Sequence, residues 1–177
     1  MVDKRYLKGL VFDASPLIYL AKTEAIDVLE SLTERVLIPR AVLEETTRPA
    51  LLYQHPDAAV IERAIREGVI TATDFEASET ATADDLTSRV PALHAGESAV
   101  LAIALHRGIP AVLFERRARR VAAATGAELV DVVELLFAGT PQADLLATRV
   151  RRFAGLVNMR LSDYEALRER MNERTME

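Results

Sequence analysis

Cysteine is absent from this 177-residue chain. Its absence removes disulfides, thiolate nucleophiles and Cys-based zinc sites together, so any metal must be held by oxygen or imidazole ligands. No apolar run approaches the ~18 to 20 residues that a membrane span requires. Residues 1–10 lack the apolar stretch and small-residue cleavage site of a secretory signal, so the expected compartment is the cytoplasm, with no membrane partner. Lysine is scarce, three against 19 arginines, and all three precede residue 23. A phospho-accepting receiver domain needs an acidic pair on its first strand and a lysine late in its sheet, and this chain offers neither.

What is present is a chain 50% hydrophobic, long enough for one domain with a core on both sides of a sheet. A single domain is expected over 1–177, with a core at about 9–137 and a C-terminal helical extension at about 140–177. The net charge of -5 argues weakly against nucleic acid, which calls for clustered Lys and Arg. The excess is local, however. Segment 71–104 carries six acids against Arg89, and the rest of the chain is balanced. Within that balance Arg116, Arg117, Arg119 and Arg120 form one basic cluster, and Arg149, Arg151 and Arg152 form another. Each reads as a solvated helix face or as a set of phosphate contacts.

Short β-rich runs alternate with helical patterns, the signature of βα units around a mainly parallel sheet. The expected class is α/β, a three-layer α/β/α sandwich followed by helices. Strands are expected over 10–13, 36–38, 69–72, 111–114 and 128–131. Ser15 followed by Pro16 reads as an N-cap and first helical position. Gly68, Gly108 and Gly126 are placed to close helices. Segment 97–107 is apolar nearly all round and is expected as a buried central helix. Leu146, Val150, Phe153 and Val157 fall on one stripe, and Ser162 with Glu165 has the spacing of a capping box. The acidic, Thr- and Ala-rich segment 73–90 lacks a clear period and is expected as a mobile loop or insertion, with 77–87 the part able to form helix.

Ligands of an open parallel sheet bind beyond the carboxyl ends of its strands. Four acids converge there: Asp13 after the first strand, Glu45 on the helix after the second, Glu97 in the first turn of the central helix, and Glu115 after the fourth strand. Carboxylates gathered in one crevice repel each other and take up protons unless a cation neutralises them. Mg²⁺ or Mn²⁺ suits oxygen ligands, and such an ion can activate water for in-line displacement at a phosphodiester. Plainer readings stand beside these. Asp13 would simply end a strand, Glu44 and Glu45 would be exposed helix residues, and Glu97 would complement a helix dipole. Ser15 would be a cap, and His94 a surface residue.

Four blocks carry a resemblance: Asp13-Ala-Ser15-Pro-Leu-Ile-Tyr-Leu-Ala-Lys22, Ile38-Pro39-Arg-Ala-Val42-Leu-Glu-Glu45, Ala95-Gly96-Glu97, and Glu115-Arg-Arg-Ala-Arg-Arg-Val-Ala122. Together they resemble the PIN-domain family, and more narrowly its toxin branch with an Asp-x-Ser-Pro-Leu-Ile opening, over about residues 9–137. The resemblance implies a parallel sheet flanked by helices, a Mg²⁺ or Mn²⁺ site, and cleavage of single-stranded RNA. It assigns metal binding to Asp13, Glu45 and Glu97, with Ser15 beside the first acid; Glu115, which follows the fourth strand, is the candidate for a fourth catalytic acid on its position alone. It also implies a homodimer and, for toxins, an antitoxin partner. Two departures are visible. Phe114 stands where the family's fourth strand ends in an Asp, and Asp131-Val132 replaces the usual Gly-Thr. They favour a second reading, a catalytically degenerate PIN fold that acts as a protein- or RNA-binding module.

Overall fold

The computed structural model describes residues 6–33, 35–47 and 55–175. After a 3-10 turn (Tyr6–Lys8), strand β1 (Leu10–Phe12) leads into α1 (Ala14–Lys22) and α2 (Asp27–Leu32). Strand β2 (Val36–Pro39), α3 (Arg40–Thr46), α4 (Pro56–Arg66) and β3 (Ile70–Thr73) follow. Helices α5 (Ala77–Arg89) and α6 (Ala95–Arg107) then precede β4 (Ala111–Val112). The chain continues through α7 (Arg116–Thr125), α8 (Val132–Gly139), α9 (Ala143–Leu156) and α10 (Leu161–Thr175).

Among the described residues the sheet has the order β3-β2-β1-β4, with every pairing parallel. Helices flank it, giving the expected α/β/α class. Strand β1 is wholly buried, as a strand covered on both faces must be. Gly9 introduces it with φ 102°, and a Cβ there would lie 2.9 Å from the Arg35 carbonyl oxygen. That carbonyl accepts the Leu10 N–H at 2.9 Å, so the missing side chain lets the ladder begin. Because β2 pairs with one edge of β1 and β4 with the other, the winding direction reverses at β1. The crevice beyond its carboxyl end is the switch point where such sheets bind ligands.

Two expected strands are shorter than their patterns. Beyond Val112 the chain leaves the ladder, because the Val112 carbonyl accepts from Asp13 N at 3.1 Å, and Asp13 already belongs to the cap of α1. The run at 128–131 is reduced to one parallel bridge between Leu129 and Ala111. The acidic segment is a helix rather than a loop: α5 starts with a capping box formed by Glu76 and Glu79. Its one fully buried acid, Glu79, is gripped by Arg107 through Nε at 2.6 Å and Nη2 at 2.8 Å. In α9, Leu146, Val150 and Phe153 join the core. Arg149 is buried beside them and ties α9 to Thr140 at 2.9 Å and to the Glu24 carbonyl at 2.7 Å. Helix α10 begins at Leu161, one residue before the expected cap.

Candidate active site

Asp13 occupies the N-cap position of α1 with extended backbone (φ -82°, ψ 167°) and is 6% exposed. Glu97 lies in the first turn of α6 and is 4% exposed. One of its oxygens accepts the His94 backbone N–H at 2.8 Å, and the His94 ring accepts the Glu97 N–H, which completes a capping box. Glu45 on α3 and Glu115 at the N-cap position of α7 are exposed. These four acids, with Ser15, Glu44 and His94, line one cavity of about 590 Å³.

Gly96 is what lets two of them meet. A Cβ at this position would stand 3.3 Å from Asp13 Oδ1, 3.4 Å from Val42 Cγ2 and 3.8 Å from Glu45 Oε2, so any side chain would wedge between the carboxylates. Burial pushes the Asp13 carboxyl up to about 6. The Ala14 N–H works against the rise, and the charges of Glu97, Glu45 and Glu115 add to it. Among the described residues no Arg or Lys pairs with any of the four acids.

A family model described as a PIN domain matches residues 9–152. The chain belongs to the PIN-domain family. Among curated proteins and among solved structures there is no match to it.

The donors of this PIN domain are all hard oxygens, unpaired by any cationic side chain among the described residues, and in kind they suit a small divalent cation. Among the described residues no three His, Asp or Glu side chains are drawn into one coordination group. Asp13 and Glu97 are the buried members of the set. Glu45 and Glu115 are the exposed members, whose side chains can rotate toward an ion at little cost.

Ser15 is not the cap of α1, since Asp13 holds that position. It lies half-buried in the second helical residue and faces the cavity. Pro16 is tolerated as the third residue because the first N–H groups of a helix lack intrahelical partners. Glu97 is both part of a helix cap and a lining acid of the cavity, so the plain reading does not exclude the functional one. His94 is exposed, and it caps a helix.

Phe114 does not enter the acid cavity. Its ring packs edge-on against Tyr19 at 4.8 Å and lies 6.3 Å from Phe153, with Tyr19 and Phe153 5.8 Å apart. Glu115, one residue on, lines the acid cavity instead. Asp131 is likewise elsewhere: it caps α8 through Val133 N at 2.9 Å and pairs with Arg119 at 3.2 Å. Tyr19 was not legible as a neighbour of the site. Its spacing of four from Ser15 was the available signal, because it places both on one face of α1. Burial, then the charge of Glu115, hold the Tyr19 hydroxyl above its usual value.

The basic clusters divide. Arg117 donates to the Ala92 carbonyl, and Arg119 to the Leu113 carbonyl at 3.0 Å and to Asp131. Arg116 and Arg120 are exposed and share a helix face at a spacing of four. In the second cluster Arg149 is buried and Arg152 pairs with Glu24 at 2.8 Å.

Proposed function

We propose that this PIN domain is a metal-dependent endoribonuclease that hydrolyses phosphodiester bonds of single-stranded RNA at the acid cavity. The observation that carries the reading is the convergence of Asp13, Glu45, Glu97 and Glu115, from four separate elements, on one cavity with no cationic partner among the described residues. Asp13, Glu45 and Glu97 would hold Mg²⁺ or Mn²⁺, and Glu115 stands as the fourth acid. Bound there, such an ion supplies neutralising charge and lowers the pKa of water toward neutrality.

The chain's own residues do the rest. Asp13, raised to about 6 by burial, is largely ionised at neutral pH, and positive charge in the cavity would keep it ionised at lower pH. Glu97, with one oxygen fixed on the His94 N–H, keeps its carboxylate oriented without moving the helix. Ser15 offers a hydroxyl beside Asp13. Arg116 and Arg120, exposed on α7 just beyond Glu115, would contact substrate phosphates. The reading extends to an antitoxin partner and a homodimer, for which the checks are a neighbouring reading frame encoding a small protein and the mass in solution.

Phe114 favours one alternative, a PIN fold with reduced catalysis that acts by binding. Titration calorimetry with Mn²⁺ and Mg²⁺ at low salt, on the protein and on Asp13→Asn, decides between them. Binding in the micromolar to low-millimolar range that is lost in the variant, accompanied by RNA cleavage, supports the nuclease. Absence of binding to the unaltered protein removes it and leaves the binding module.

A further inference from the structure

A second cavity of about 570 Å³ lies on the other side of the Phe114–Glu115 dipeptide. Its apolar wall is built from Phe114, Phe153, Val157, Met159 and Leu167. Its rim is polar: Arg119 pairs with Asp131 at 3.2 Å and Arg160 with Asp163 at 2.9 Å, and the Glu134 and Asn158 side chains complete it. Both guanidiniums of this rim are already paired with carboxylates, which leaves neither of them uncommitted for a phosphate. The same rim offers donors and acceptors side by side above an apolar wall that includes two aromatic rings. Those are the features of a site for a neutral aromatic heterocycle carrying N–H and carbonyl groups on its edge.

We propose that this cavity is a nucleobase subsite, in which the base of a nucleotide flanking the scissile phosphate lies against Phe114 while its phosphate stays on the acid side of the dipeptide. The inference rests on the nuclease reading for its substrate class, and the juxtaposition supplies the rest. Consecutive residues line the two cavities, and a base is tied to its own phosphates by one sugar, so a strand crossing this wall presents one group to each side. Unstacked bases of single-stranded RNA are held by aromatic side chains in this way. Tyr19 and Phe153 brace the Phe114 ring edge-on, which leaves it fixed rather than free to follow a ligand. The aromatic residue in place of the family's acid thus supplies a stacking surface.

The test uses the full chain in excess chelator, so that neither cation binding nor cleavage enters. Saturation-transfer NMR is run with adenosine, guanosine, cytidine and uridine, and with ribose 5-phosphate as a base-free control. Expected is transfer to base protons of at least one nucleoside and none to the control. Affinity should fall about fivefold or more in Phe114→Leu, the lower bound of one lost stacking contact, and recover in Phe114→Tyr. A second variant, Val157→Leu, narrows the cavity without touching the ring and should also weaken binding if Phe114→Leu fails to fold. No transfer from any nucleoside overturns the proposal. So does binding that survives both changes, and so does binding that is lost in Glu45→Gln, which would locate the ligand on the acid side. Failure of cation binding in the calorimetric experiment would remove the nuclease reading and leave the nucleoside result standing on its own.

Discussion

Replacing Asp13 with asparagine should make the protein more stable at neutral pH. The group's ordinary value is 3.8 and the fold raises it to about 6, chiefly by burial. An acid raised on folding contributes stability that is fully present below the unfolded value and is lost as pH rises through the folded one. The unaltered protein should therefore lose stability between about pH 4 and pH 6, with little further change above. At about 1.4 kcal/mol per unit the cost at pH 8 has a ceiling of about 3 kcal/mol. Water reaching the open cavity reduces this to about 2. Asparagine keeps an acceptor for the Ala14 N–H and carries no charge, so Asp13→Asn should gain about 2 kcal/mol at pH 8 and well under about 1 kcal/mol at pH 4. For a chain of this size that is roughly 4 to 8 °C in Tm at pH 8. Thermal and urea unfolding in chelator at both pH values measure it. A variant less stable than the parent at pH 8, or a gain of the same size at both, would refute the electrostatic argument. Adding Mg²⁺ at pH 8 should then stabilise the parent and leave Asp13→Asn unchanged.

Gly96→Ala should raise the Mn²⁺ dissociation constant about tenfold or more while leaving Tm within about 3 °C, because the favourable helix propensity of Ala, about 1 kcal/mol, offsets a contact 3.3 Å from Asp13 Oδ1; calorimetry and unfolding read the two separately. Arg107→Leu strands the fully buried Glu79 carboxylate, whose value its hydrogen bonds from Arg107 now hold below the ordinary range. A loss of about 3 kcal/mol is expected, larger at pH 8 than at pH 5 because the stranded acid escapes by protonation, and equal losses at the two pH values would contradict it. Phe114→Asp places a carboxylate between Tyr19 and Phe153. It should lower stability by about 2 kcal/mol or more without tightening Mn²⁺ binding. Tighter binding or new cleavage would instead show that the site lacked a ligand there.

Much of the site was legible because its residues break local patterns. Asp13 ends a strand of three apolar residues, and Gly96-Glu97 opens a helix whose middle, Ala99 to Leu105, is apolar throughout. Each also has a local role at a helix start, Asp13 at the N-cap of α1 and Glu97 in a capping box, so it is the break in the apolar pattern rather than the acid itself that marks them. What stayed hidden depends on partners remote in sequence. Segment 73–90 offers few apolar residues because one of its buried positions is an acid, Glu79, paired with Arg107 from the next helix. A helical period counted on apolar residues passes over such a position. Ser15 and Pro16 have the look of a cap and first turn, but Asp13 takes the cap. The direction of the Phe114 ring follows from Tyr19 and Phe153, the latter 39 positions away, and no local pattern carries it.

The two-residue strand β4 therefore governs more than its length suggests. It is held on one side by β1 and on the other by Leu129 alone, through Ala111 N to the Glu128 carbonyl at 2.8 Å and Val130 N to the Ala111 carbonyl at 3.0 Å. A slip of one position along this ladder would exchange the faces of the residues beyond it, turning the aromatic ring toward the carboxylates and an acid toward the greasy wall. Insertions and deletions between Pro110 and Arg116 should consequently be poorly tolerated, even though the segment is short and contributes only two residues to the sheet.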